Sequence, residues 1–188
     1  MNRKLKNEEL DRLNLKEFKE SSKTPLIVVL DNIRSANNIG AVFRSSDAFR
    51  IEAIYLCGIT AQPPHRDIHK TALGSTDTVE WKYFESTLDA LKVLKGMDYK
   101  IAAIEQASNK IDLHQFNPNL VEQKWAVIFG NEVFGVSQEA VNEADCVVEI
   151  PQIGSKHSLN ISVSAGIVLW DLFKKYNYSS EQDQPCSS

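Results

Sequence analysis

Three stretches of this 188-residue chain set polar or charged side chains beside glycine where an apolar run ends. The first is Asn38-Ile39-Gly40-Ala41-Val42-Phe43-Arg44. On a helix, Arg44 stands one turn beyond Gly40 on the same face. The glycine permits close approach of backbone or ligand, and the guanidinium offers a planar, multidentate grip on phosphate or ribose oxygens. A solvent-facing arginine beside a packing glycine fits the same residues. The second stretch, Phe129-Gly130-Asn131-Glu132-Val133-Phe134-Gly135, brackets a carboxylate between two glycines. Glu132 could pair with an arginine, cap a helix or accept a ribose hydroxyl; a tight turn needing positive φ, with Glu132 in solvent, is the alternative. The third runs from Ile150-Pro151-Gln152-Ile153-Gly154 through Lys156 and His157 to Ser158-Leu159-Asn160. It leads into Ile161, Ser162, Val163, Ser164, Gly166, Ile167 and Val168, a helix start that propensity disfavours by roughly a few tenths of a kcal/mol per residue. Small residues at Ser162, Ala165 and Gly166 permit very close helix packing, so a functional loop or a tight dimer contact governs this segment.

Several chemistries lack their residues. The dinucleotide fingerprint G-x-G-x-x-G, the phosphate loop G-x-x-x-x-G-K-[ST], the G-x-S-x-G elbow and H-E-x-x-H are all missing. His65 and His69 are four residues apart, but with His157 they form no metal set, because no cysteine or carboxylate completes a usual spacing. Ser158 has no histidine or acid partner assignable by spacing. Lys156 and His157 could add positive charge near a polyanion. Cys57, Cys146 and Cys186 are odd in number and widely spaced, which predicts neither a disulfide framework nor a zinc cluster, and a reducing cytoplasm.

The elements that must position these stretches alternate. Leu26–Leu30 reads as a strand buried on both faces, broken by Asp31–Ser35. A helix is predicted over Asn38–Phe49, a strand over Ala53–Cys57, a loop at Pro63-Pro64 and a short helix over Asp67–Leu73. Val79–Tyr83 alternates as an edge strand. Ser86 or Thr87 caps a helix that stops at Gly96. Strands follow at Lys100–Ile104, Trp125–Phe129 and Val147–Ile150, with Ser137 as N-cap of a helix over Gln138–Glu143. A final helix covers Leu159–Lys175. This order predicts an α/β fold, a mostly parallel sheet with helices on both faces. Such sheets bind ligands at the carboxyl ends of their strands, where all three stretches fall.

The whole-chain composition is that of one soluble globular domain: 43% apolar, 24% charged, net charge −4. No run of 18 apolar residues exists, so no membrane span is expected. Met1–Leu15 has no apolar signal core, and Glu8, Glu9 and Asp11 interrupt its basic residues, against a secretory or mitochondrial address. Residues 1–24 form a polar leader with a helix expected around Glu8–Glu20. The domain spans 25–178, and 179–188 is a flexible acidic tail. The acidic balance appears at first to argue against nucleic acid, yet positive groups gathered on one face would suffice.

Together, the three stretches resemble the SpoU (TrmH-type) branch of the SPOUT superfamily, the RNA ribose 2′-O-methyltransferases. The likeness runs through Asn38–Arg44 with Asp47-Ala48-Phe49, through Phe129–Gly135 with Val136-Ser137, and through Ile150–Gly154 with Ser158–Ser164; Lys70–Gly74 adds to it. It covers residues 25–176 and implies a deep trefoil knot in the last third of the chain. It also implies S-adenosyl-L-methionine bound by Phe129, Gly130, Asn131, Glu132, Gly135, Ile150, Pro151, Ile153, Gly154, Ser158 and Leu159. Homodimers with composite active sites are implied as well. The roles carried over are Arg44 at the target ribose hydroxyl, Asn38 positioning it, Glu132 holding the arginine or the loop, and Ser158 and Asn160 near donor and substrate. A guanidinium is a costly base, since deprotonation at neutral pH costs at least about 7 kcal/mol, so a charged Arg44 clamping phosphate is expected. The RNA surface combines the leader with Arg34, Arg44, Arg50, Arg66, Lys70 and Lys156. Transfer RNA is favoured over ribosomal RNA, because the chain shows no added RNA-binding domain. No metal is implied. The competing reading is a noncatalytic RNA-binding or ribosome-assembly dimer on the same knot.

Overall fold

The run behind Pro25 becomes an interior strand. In the computed structural model, which describes residues 2–6, 9–10, 12–155 and 158–178, β1 (Thr24–Asp31) pairs in parallel with β2 (Ile51–Cys57) on one side and β6 (Trp125–Phe129) on the other. Leu26 to Leu30 are at most 1% exposed. Their alternation serves two cores. Leu26, Val28 and Leu30 pack with Ile39, Val42 and Phe43 of α2 (Ala36–Ala48), Ile68 of α3 (Arg66–Ala72), and Val168 and Leu172 of α7 (Ile161–Tyr178). Ile27 and Val29 face Leu91 and Leu94 of α5 (Thr87–Gly96) and Ala140 of α6 (Gln138–Glu143). Helices therefore cover both faces, as a sheet of doubly buried strands requires.

The sheet has seven strands in the order β3-β2-β1-β6-β4-β7-β5, with every pair parallel. Here β3 is Glu80–Phe84, β4 is Lys100–Ile104, β5 is Ile111–Asp112 and β7 is Cys146–Glu149. The chain lays β1, β2 and β3 outward in one direction, crosses to β4, then inserts β6 between β1 and β4. The strand order reverses there, and such a reversal opens a crevice at the carboxyl ends.

The elements differ from the sequence expectation in places. The leader helix α1 covers only Leu15–Glu20; Asn14 caps it, and the Glu17 carboxylate accepts from the Asn14 N–H at 2.8 Å. That capping box starts the helix at residue 15 instead of near Glu8, which lies outside the described residues. α7 starts at Ile161, not Leu159, because Asn160 Oδ1 accepts from the Ser162 N–H at 2.8 Å. β7 begins and ends one residue early. α4 (Ser75–Thr78) and β5 were not anticipated. Ser137 precedes α6 without capping it by its side chain. The tail 179–188 lies outside the described residues.

Candidate active site

At the carboxyl end of β1, Asp31 is 1% exposed and surrounded by donors. Its carboxylate accepts from Thr87 Oγ1 at 2.5 Å, Asn32 Nδ2 at 2.8 Å and the Ser137 N–H at 2.8 Å. A buried carboxylate needs such partners, and Thr87 and Ser137 pin the starts of α5 and α6 to β1. Asn131 Nδ2 then donates to Asn32 O at 2.7 Å, while its Oδ1 accepts from the Val133 and Phe134 N–H groups at 2.9 and 3.3 Å. Asn131 and Gly135 also exchange main-chain hydrogen bonds, so the loop closes on itself. Both glycines are structural. A Cβ on Gly130 would lie 2.0 Å from Gly135 C and Val136 N, and Gly135 has φ 70°. A Cβ at Gly135 would also strike Glu105 Oε2, which accepts from the Val136 N–H at 2.9 Å.

That loop presents Glu132 to the start of α2. The carboxylate accepts from the Arg34 and Ser35 N–H groups, each at 3.1 Å, and from Asn38 Nδ2 at 3.2 Å. Negative charge at a helix N-terminus is favourable. Partial burial pushes the Glu132 carboxyl upward, but the N–H groups of Arg34, Glu132 itself and Ser35, with the Asn38 amide, outweigh it and hold the group below the usual carboxylate range. Asn38 Oδ1 in turn accepts from Asn160 Nδ2 at 3.2 Å. Asn160 Oδ1 accepts from Ser162 Oγ at 2.6 Å. One side-chain chain, Glu132–Asn38–Asn160–Ser162, therefore ties the three stretches together. Asn38 is its centre, with its amide donating one way and its carbonyl accepting the other.

Beside this chain lies a cleft of about 490 Å³ at the ends of β4, β6 and β7, within the usual range for small-ligand sites. Of the residues assigned to cofactor, Phe129, Gly130, Asn131, Glu132, Gly135, Ile150, Ser158 and Leu159 line it. Pro151, Ile153 and Gly154 do not: Ile153 is wholly exposed, Gly154 faces open space, and Pro151 borders another cavity with Val163, Gly166 and Trp170. Glu105, Gln106 and Gln152 line the cleft without having been foreseen.

Arg44 stands apart. A Cβ on Gly40 would press on Ile68 O and Thr71, and Asp47 Oδ1 accepts from Thr78 Oγ1 at 2.5 Å. The stripe Gly40–Arg44–Asp47 therefore faces α3 and α4, and Gly40 serves helix packing. Arg44 is exposed and has no hydrogen-bond or ion-pair partner among the described residues. Glu132 holds the loop before α2, with no bond to Arg44. Among the cations grouped as an RNA surface, Arg34 lies at the site, its guanidinium 5.9 Å from the Phe134 ring centre. Arg66 and Lys70 are exposed on α3. Arg50 is at the other end of the sheet: its carbonyl accepts from the Thr24 N–H where β1 begins, roughly 20–25 Å from Asp31 at strand rise. Lys156 lies outside the described residues.

The sequence profile of the SpoU rRNA Methylase family matches residues 25–170. The chain belongs to this family. The SpoU relatives include a 23S rRNA (guanosine-2′-O-)-methyltransferase, RlmB, of Blochmanniella floridana, 31% identical over 83% of this chain and 60% of its own length. The chain thus spans about 60% of that relative. A tRNA (guanosine(18)-2′-O)-methyltransferase of Thermus thermophilus is 27% identical over 94% of this chain and 89% of its own. Among solved structures, the SpoU methyltransferase AviRb from Streptomyces viridochromogenes, in complex with AdoMet, superposes with TM-score 0.74 at 22% identity, covering 84% of this chain and 62% of that one.

The parallel sheet of this SpoU chain matches that neighbour's fold. Among the described residues the two thiols are poor nucleophiles: burial pushes Cys57 up to about 12 and Cys146 up to about 11. Among the described residues, no group of three or more His, Cys, Asp or Glu side chains is arranged to hold a metal, and no helix is long and apolar enough to cross a membrane.

Proposed function

We propose that this protein transfers a methyl group from S-adenosyl-L-methionine to a ribose 2′-hydroxyl of structured RNA. The junction at Asn38 carries the reading. A lone glutamate or asparagine at a loop has many uses; three family stretches hydrogen-bonded to one another at the rim of a ligand-sized cleft have few. The cleft suits the cofactor. The Phe129–Gly135 loop and Ile150 offer main-chain groups and apolar surface, and Glu105 and Glu132 supply carboxylates toward a cation, while Glu149 on the wall is paired with Lys110 at 3.0 Å. When bound, S-adenosyl-L-methionine supplies an electrophilic methyl group. AviRb is solved with that molecule, in support of the assignment.

This chain's own residues do the rest. Glu132 fixes the Arg34–Ser35 backbone and Asn38. Asn38 and Asn160 orient each other at the cleft mouth, and Ser158 lines the wall beside them. Alignment of the ribose oxygen is the main gain such a frame provides. The Arg44 guanidinium stabilises negative charge developing on that oxygen and clamps the neighbouring phosphate, while the hydroxyl proton leaves to phosphate or water. Its position on the α3–α4 side suits a composite site in which Arg44 serves the cleft of a second copy. Val163, Ile167 and Trp170 on α7, half exposed to solvent, are the apolar surface on which we seat that homodimer. The chain leaves β7 near the far edge of the sheet and returns as α7 packed with α2, a crossing from which we infer the knot.

Transfer RNA is our preferred substrate over ribosomal RNA; the Thermus thermophilus tRNA enzyme aligns with 94% of this chain, which supports that preference. The free thiols of Cys57, buried, and Cys146, half-buried, suit the cytoplasm. Calorimetry with S-adenosyl-L-methionine, followed by labelled-methyl incorporation into bulk transfer RNA and ribosomal RNA, tests the reading. No binding and no incorporation would refute it.

A further inference from the structure

On the α2 side of the sheet, away from the cleft, the loop before α3 joins α3, α4 and the start of β3 around a second groove of about 510 Å³. Its apolar surface is Trp81, half-buried against the core at the edge strand, with Pro63 and Pro64 also lining the groove. Its rim is polar. His65 accepts from the Asp67 N–H through Nδ1 at 3.2 Å, which leaves the N–H of the neutral ring at Nε2. Arg66 borders the groove, and Lys70 follows one turn later on α3, so the two share a face. Both are exposed without an ion-pair partner among the described residues. α3 packs on α2 through Gly40, so the groove shares its side of the molecule with Arg44.

We propose that this groove receives an unstacked nucleobase of the bound RNA, its ring against Trp81 and its flanking phosphates on Arg66 and Lys70. The inference rests on the RNA reading above and adds a contact outside the methyl-transfer site. A flat aromatic floor beside free cations is the arrangement that binds single-stranded nucleotides, whose bases stack while their phosphates pair with basic side chains. Asp77 on the rim can accept from an exocyclic amino group of the base. His65, through its Nε2 N–H, adds a donor toward a base carbonyl or a phosphate.

The test uses the full chain with bulk transfer RNA and, separately, 23S ribosomal RNA, measuring dissociation constants over a salt series. S-adenosyl-L-methionine calorimetry on each variant reports an intact fold. Trp81→Leu is expected to weaken RNA binding roughly 5- to 150-fold, the usual range for one stacked base. It leaves the salt slope unchanged, and Trp81→Phe restores most of the affinity. Arg66→Ala weakens binding and lowers the salt slope by about 0.7 for one lost phosphate contact on a single strand. Should Trp81→Leu fail to fold, Arg66→Ala and His65→Ala, both on the surface, decide alone. Variants that bind cofactor normally and bind RNA within twofold of wild type would overturn the groove while leaving the enzyme reading intact. A wild-type chain that binds neither RNA would overturn both.

Discussion

Glu132 is the place to break the site without touching the core. Its carboxylate takes three donors, the N–H groups of Arg34 and Ser35 and the amide of Asn38. In Glu132→Gln the amide oxygen can keep Ser35 and Asn38, while the new NH2 faces the Arg34 N–H, donor against donor. Hydrogen bonds to a charged group are worth about 1.5–3 kcal/mol when shielded. Glu132 is exposed, so screening cuts each to roughly 0.5–1 kcal/mol. One lost bond plus the helix-end charge then costs about 1–1.5 kcal/mol, near tenfold in kcat/KM for RNA if the frame must be closed to react. Glu132→Ala loses all three, for a fall of about 10- to 150-fold. The assay is steady-state methyl transfer on both variants, with melting temperature in parallel. The pH arm has a fixed sign. Because the folded carboxyl is held below its usual value, its contribution to stability is fully present above the unfolded pKa of about 4.3 and is lost as pH falls through the folded value. Wild type should therefore exceed Glu132→Gln in stability by a constant margin from pH 6 to 8, and the margin should shrink below about pH 4.5. Equal kcat/KM for wild type and Glu132→Ala would refute the framing role.

Arg44→Lys keeps the charge and loses the planar fork; kcat is expected to fall about 10- to 100-fold with cofactor affinity unchanged, and near-full activity would remove any special guanidinium role. Asp31→Asn turns an acceptor of three buried donors partly into a donor, so chemical denaturation should register a loss of about 2–4 kcal/mol. Gly135→Ala meets both a positive φ and the Glu105 carboxylate, and should weaken cofactor binding at least tenfold by calorimetry, whereas Gly154→Ala, facing open space, should change it less than twofold.

The alternation of apolar runs and capped helices in the sequence carried most of the architecture. Leu26–Leu30 could hardly be anything but a doubly buried strand, and Ser86 caps α5 as its type suggests. The rest depended on distance along the chain. Asp31 and Glu105 are isolated carboxylates in sequence, and their donors Ser137 and Val136 lie 106 and 31 residues away. No local pattern reports such pairs. Spacing likewise made Gly40 look available to a ligand when a neighbouring helix fills its place. Arg50 was grouped by charge alone, and only strand direction shows it at the opposite end from Arg34. The three glycine-bearing stretches were legible as a set; that Asn38 joins them was not, because an amide that both donates and accepts has no sequence signature.

The central claim is ribose methylation framed by the Asn38 junction. The most direct test is mass spectrometry of nucleosides from bulk transfer RNA and ribosomal RNA incubated with the purified protein and deuterated-methyl S-adenosyl-L-methionine. The expected result is label in a 2′-O-methylated nucleoside, reduced at least tenfold for Asn38→Ala. Label on a base, or equal ribose label from wild type and Asn38→Ala, would contradict it.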